Sequence, residues 1–217
     1  MKNLNKVQIG RSMVEMLGVL AIVGVLSVGS IAGYSKAMFK YKMNKYALSY
    51  NTLLNDLLDI KNSLDTNSGK NEGGNTIHYY GNFFKKLNKI PEGFKYVRDE
   101  ELKDMFNNSV LIYQYSKMSR YSNPEDFPGG IRTEIKANKE GQAICHQLLN
   151  IAKENSQNLS KATIYIDKSS SKEITILGDK KCVSGAKCLS KLTLADVENF
   201  CYSCNNQSCY VYTLWRG

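Results

Sequence analysis

Residues 16–35, MLGVLAIVGVLSVGSIAGYS, form a run of twenty residues without a charge, bounded by Glu15 and Lys36. As an α-helix this run is about 30 Å long, the thickness of a bilayer's hydrocarbon core. Beyond Lys36 the polarity changes but the helical signal continues. There is no Pro or Gly from Tyr34 to Asp65, and Leu53, Leu54, Leu57, Leu58, Ile60 and Leu64 recur at helical spacing among Lys and Asn. The pattern predicts one helix from about Met13 to about Leu64, apolar all round in its first half and amphipathic in its second. A secretory signal peptide has a shorter apolar core, about 7–15 residues, and has no reason to run on into a folded helix.

The rest of the chain alternates between short helical and extended patterns. The polar, Gly-rich stretch 65–75 reads as the loop that ends the long helix. Residues 79–89 suggest a short helix stopped by Ile90-Pro91, and 99–106 another helical turn. SVLIYQYSKM (109–118) is rich in β-branched and aromatic residues and predicts a strand, Ser122–Gly130 a turn region, and the alternating 131–136 a second strand. Residues 138–155 read as a helix with Ala143, Ile144, Leu148, Ile151 and Ala152 on one face. Two strands follow at 162–167 and 173–177, joined by a Lys/Ser-rich turn. Thr193 is placed to cap a short helix, and Cys209–Trp215 closes the pattern with a strand. The sum is an α+β fold: a long N-terminal helix, its first half membrane-spanning, with several strands and an extra helix.

Composition alone hides this division. The 217 residues carry a net charge of +9, are 42% hydrophobic and have a mean hydropathy of -0.37. These averages exclude a polytopic membrane protein, a collagen-like chain and a fully disordered one. Lys2, Lys6 and Arg11 precede the span and favour a cytoplasmic N-terminus with the remainder exported. Lys36, Lys40, Lys42 and Lys45 follow it closely and suit contact with a membrane surface rather than nucleic-acid readout.

Glu15 is the least expected residue in the apolar segment. An unpaired charge inside a bilayer costs roughly 2.5–3.5 kcal/mol on insertion scales, so Glu15 either snorkels to the interface or has a partner. Its context is a basic leader, then Gly10-Arg11-Ser12-Met13-Val14-Glu15, then the span. This pattern resembles the class III signal of type IV pilins and type II secretion pseudopilins, over about residues 8–65. Arg11 differs from the apolar residue usual there. The resemblance implies a pilin-like architecture, the long helix packed on an antiparallel sheet, with a leader at 1–10, a transmembrane and assembly helix at 11–35, its amphipathic continuation at 36–65, and an exported head at 66–217. It implies cleavage after Gly10 by a prepilin peptidase, methylation of the new α-amino group on Arg11, and pairing of Glu15 with the N-terminal amine of a neighbouring subunit. Loss of Lys2 and Lys6 with the leader lowers the formal charge from +9 to +7. The implied partners are the peptidase, other pilin or pseudopilin subunits, an inner-membrane assembly platform and membrane lipid. The implied location is the bacterial inner membrane, then a pilus or periplasmic pseudopilus. Gly18, Gly24, Gly29 and Gly33, with interleaved Ala and Ser, offer small surfaces for helix packing. Two alternatives stand beside this reading: an anchored exported protein that never polymerises, and a minor pilin that binds DNA or another ligand at a fibre tip.

Five of the six cysteines lie after residue 181. An even count in an exported segment favours three disulfides. Cys182 and Cys188 share one short loop and are expected to pair. A Cys-bearing second helix and a Cys-bearing C-terminal segment look like the type IVb pilin group, where a disulfide ties these regions together. Cys145 is accordingly expected to bond Cys201, Cys204 or Cys209. Zinc held by Cys201-x2-Cys204 and Cys182-x5-Cys188 is disfavoured by the wide Cys182–Cys188 spacing and by an oxidising compartment. No metal, cofactor or catalytic activity is expected. His78 and His146 are the only histidines, and neither G-x-S-x-G, a P-loop nor H-E-x-x-H is present.

Overall fold

The computed structural model describes residues 7–64, 70–72, 75–98, 100–117, 128–166 and 173–216. By contact the chain forms two compact units, Met1–Lys42 and Met43–Gly217. Helix α1, Val7–Ile60, runs through 54 residues and is followed by a single 3-10 turn at Lys61–Ser63. The long helix anticipated from the pattern is therefore present. Within the second unit one face of it is core: Tyr46, Tyr50, Leu53, Leu54 and Leu57 are fully buried, while Leu48 is exposed and Leu58 and Ile60 are half-buried.

That face meets an antiparallel sheet. Its strands are β1 (Lys70–Glu72), β2 (Asn75–Tyr79), β3 (Lys95–Tyr96), β4 (Glu101–Lys103), β5 (Ser109–Lys117), β6 (Pro128–Ile135), β7 (Lys161–Ile166), β8 (Glu173–Leu177) and β9 (Cys209–Arg216). The main order is β1-β2-β5-β6-β9-β7-β8, and β4 pairs with both β3 and β5. One edge of β5 pairs with β6, and the other is shared: β2 takes the end around Tyr113–Lys117 and β4 the end around Ser109–Leu111. The last strand in sequence, β9, lies between β6 and β7. Alternate residues point to opposite faces, so Val110, Ile112, Ile131, Ile135, Ala162, Ile164, Ile176, Val211 and Trp215 form the buried face.

Three further α-helices lie among the described residues of the head. They are α2 (Gly81–Lys86), α3 (Gly141–Glu154) and α4 (Leu194–Cys201). In α3 the buried stripe is Ile144, Cys145, Leu148, Leu149, Ile151 and Ala152, whereas Ala143 is only half-buried. Thr193 caps α4 as expected: its Oγ1 accepts from the Asp196 backbone N–H at 3.1 Å, and the Asp196 carboxylate accepts from the Thr193 N–H at 3.0 Å.

Several expectations are corrected. Residues 100–106 are not helical, because β4 occupies 101–103 and Leu102 is buried in register with Val110; Asp99 lies outside the described residues. Sheet pairing outweighs the helix-forming composition of DEELK. The stretch 65–75 is not all loop: β1 lies within it and Asn75 opens β2, with Glu72 paired to Asn75 across two glycines. Tyr79 belongs to β2 rather than to the helix that follows. The turn expected through Gly130 ends sooner, since β6 begins at Pro128. The remainder of that turn, the Lys/Ser-rich turn after 167 and the first residues of the leader lie outside the described residues.

Candidate functional site

The stem comes first in sequence. Met13–Ser63 contains a window with mean hydropathy 2.2, none of it buried, in a helix long and apolar enough to cross a membrane. Val14, Val25 and Val28 are each more than two-thirds exposed. A contiguous apolar surface of this length is a surface for lipid or for other protein. Its two serines suit such surroundings, because the Ser27 and Ser30 hydroxyls donate to the Val23 and Leu26 carbonyls at 2.7 Å. Gly10 and Arg11 lie in the first turns of α1, and Glu15 follows one turn later with its side chain exposed. Around Gly18, Gly24, Gly29 and Gly33 an added Cβ would meet nothing within 4 Å. These four positions are shallow notches on the helix surface.

The cysteines of the head form three disulfides, Cys145–Cys201, Cys182–Cys188 and Cys204–Cys209, with Cα separations of 5.4–5.6 Å. The expected Cys182–Cys188 bridge is present, and Cys145 finds its partner at the end of α4. No thiolate remains for zinc, and no cluster of metal-ligating side chains occurs among the described residues. The bridge from α3 to α4 spans 56 residues of sequence, whereas the other two close loops with separations of 6 and 5. Lys153 adds a second tie between α3 and the entry to α4, donating to the Leu192 carbonyl at 2.7 Å.

The histidines have structural surroundings. His78 is buried, with Nε2 2.7 Å from Ser116 Oγ. His146 Nε2 is 3.2 Å from Glu198 Oε2, and Gln142 donates to the other Glu198 oxygen at 2.7 Å. Burial lowers the His146 pKa, and the Glu198 carboxylate opposes that shift. The adjacent Cys145 is oxidised, so it supplies no nucleophile.

A second surface was missed at the level of sequence. On the sheet face turned away from Tyr50, Tyr79, Tyr113, Tyr115 and Tyr212 surround Arg132 and, with Ile77, line a cavity of about 90 Å³. The available signal was alternation: Tyr113 and Tyr115 in β5, and Tyr210 and Tyr212 in β9, occur every second residue and so share a face.

No protein-family model, curated protein or solved structure matches the chain.

Proposed function

We propose that the protein is a structural subunit of a type IV pilus or type II secretion pseudopilus, made as a precursor and assembled through its N-terminal helix. The observation that carries this reading is the two-part character of α1. Its leading part is a wholly exposed apolar span, and its following part supplies the buried stripe Tyr46–Leu57 of the head. A removable signal peptide needs no such continuity, but a stem that anchors a folded head does.

In this reading a prepilin peptidase cleaves after Gly10. The new amine on Arg11 and the Glu15 carboxylate of a neighbouring subunit then set the axial register. In low dielectric a mismatched register would leave a charge buried without compensation, a penalty of several kcal/mol. The precursor sits in the inner membrane as a single span with its head exported, and three disulfides fit an oxidising compartment. The subunit itself performs no catalysis.

N-terminal and intact-mass analysis of the membrane form tests the processing step. A mature chain beginning at Arg11 is expected, and cleavage near Gly33 would overturn the reading. Glu15→Ala is expected to abolish filament incorporation while leaving the head's disulfides intact. Normal incorporation would remove the assembly role from Glu15.

A further inference from the structure

The neck between the apolar span and the head carries cations that the protein itself does not neutralise. No Asp or Glu occurs from residue 16 to residue 55, so a lysine on this part of α1 has no carboxylate one turn away on its own helix. Lys36, Lys40 and Lys42 are exposed and form no ion pair among the described residues. The next lysine, Lys45, is paired with Glu92. The change from unpaired to paired lysines coincides with the boundary between the two compact units, which falls after Lys42.

The same few residues hold large apolar side chains in the open. Tyr34, Met38 and Tyr41 are 67%, 37% and 61% exposed. Rings with a polar tip and lysines with long apolar stems settle at a membrane–water boundary, apolar parts toward the acyl chains and polar ends toward water. Length puts them at that level. Residues 16–35 take up about 30 Å as a helix, the hydrocarbon thickness, and residues 36–42 add about 10 Å, against a headgroup layer of about 5–8 Å on each side.

The placement of the cations around the helix separates lipid from protein as the occupant. In an α-helix Lys40 stands about 40° from Lys36, but Lys42 stands about 200° from Lys40. One protein surface meets one side of a helix and leaves either Lys42 or the other two unanswered. Headgroups surround the helix and answer all three. Their phosphates accept from ammonium donors, and an anionic surface attracts each lysine that lies close to it. A zwitterionic lipid offers the same phosphate with its charge cancelled by choline, so three unpaired lysines select the anionic class. On the reading that residues 16–35 span the membrane, we propose that Tyr34–Lys42 is a binding site for anionic phospholipid headgroups. Lys36, Lys40 and Lys42 hold the phosphates, and Tyr34, Met38 and Tyr41 lie at the edge of the acyl chains.

The test uses the purified full chain reconstituted in vesicles of equal parts phosphatidylcholine and phosphatidylglycerol. Electron spin resonance of spin-labelled lipids gives the association of phosphatidylglycerol with the stem relative to phosphatidylcholine. A preference of roughly fivefold or more is expected, weakened by concentrated salt. The triple variant Lys36→Gln, Lys40→Gln and Lys42→Gln should lose most of it, the remainder reporting Lys2, Lys6 and Arg11 at the other end of the span. A second triple variant, Lys139→Gln, Lys180→Gln and Lys181→Gln, changes exposed lysines of the head and should leave the preference unaltered. Circular dichroism and intact disulfides check the folding of both. Equal association of the two lipids, an undiminished preference in the neck variant, or an equal loss in the head variant would overturn the proposal while leaving the span in place. A chain released from the vesicles by alkaline extraction would overturn the span itself, and this site with it.

Discussion

The Tyr50 hydroxyl of α1 lies 3.2 Å from Thr213 Oγ1 of β9, a contact between residues 163 apart in sequence and both fully buried. It joins the amphipathic half of the long helix to the middle of the sheet. Around it Tyr46, Phe94 and Phe106 form an aromatic group with ring centroids 5.6–6.4 Å apart. Removing the hydroxyl alone, in Tyr50→Phe, is expected to lower stability by about 1–2 kcal/mol, because Thr213 loses its buried partner. Tyr50→Ala should cost about 3–5 kcal/mol through the cavity it leaves. Urea denaturation followed by circular dichroism measures both.

The same group makes the protein sensitive to alkali. Burial pushes the Tyr50 pKa up to about 12, and burial also raises Tyr46 and Tyr113 well above the usual phenol range. A folded pKa above the unfolded value of about 10 contributes stability that is complete below pH 10 and lost as pH rises through the folded pKa. Tyr50 alone should contribute a loss of roughly 2 kcal/mol by pH 12. Spectrophotometric titration should therefore show exposed tyrosines ionising first, and a buried set ionising together with loss of far-UV signal.

The three disulfides should be unequal. In the chain-entropy argument a bridge closing a loop of about 57 residues stabilises by about 4 kcal/mol, and loops of about six or seven residues by about 2 kcal/mol each. The double replacement Cys145→Ala with Cys201→Ala is thus expected to destabilise the head more than the corresponding change at Cys182 and Cys188. Denaturation midpoints of the two variants, compared under identical conditions, decide this.

Gly129 tests the packing of the only tryptophan. A Cβ at this position would stand 2.5 Å from Trp215 Cζ2, and Trp215 is fully buried. Gly129→Ala must displace the indole or the strand, at a cost of about 1–3 kcal/mol. Near-UV circular dichroism and tryptophan fluorescence should both change, with the disulfides still formed.

Legibility followed the strength of local periodicity. The long helix could be read because its second half repeats leucine at helical spacing over three turns and residues 16–35 carry no charge. Strands β5, β7, β8 and β9 announced themselves through β-branched and aromatic runs, and α3 through its apolar face. β4 did not: three residues with one buried leucine carry no pattern, and their conformation comes from the neighbouring β5. β1 is likewise held by its partner β2. The disulfides were legible as a set, but the choice of Cys201 for Cys145 required the approach of α4 to α3. The cluster around Arg132 was invisible as a cluster because it draws on β2, β5, β6 and β9, segments separated by up to 135 residues in the case of Ile77 and Tyr212. Only the order of the strands brings them together.

That order also has a consequence in time. The strand that joins β6 to β7 is β9, which ribosomes synthesise after every other strand of the sheet. Until then the growing chain holds two half-sheets, β1–β6 and β7–β8, whose facing edges have backbone donors and acceptors without partners. Until β9 is made, the sheet cannot close along its midline. The sheet is continuous only with residues 209–216 between β6 and β7.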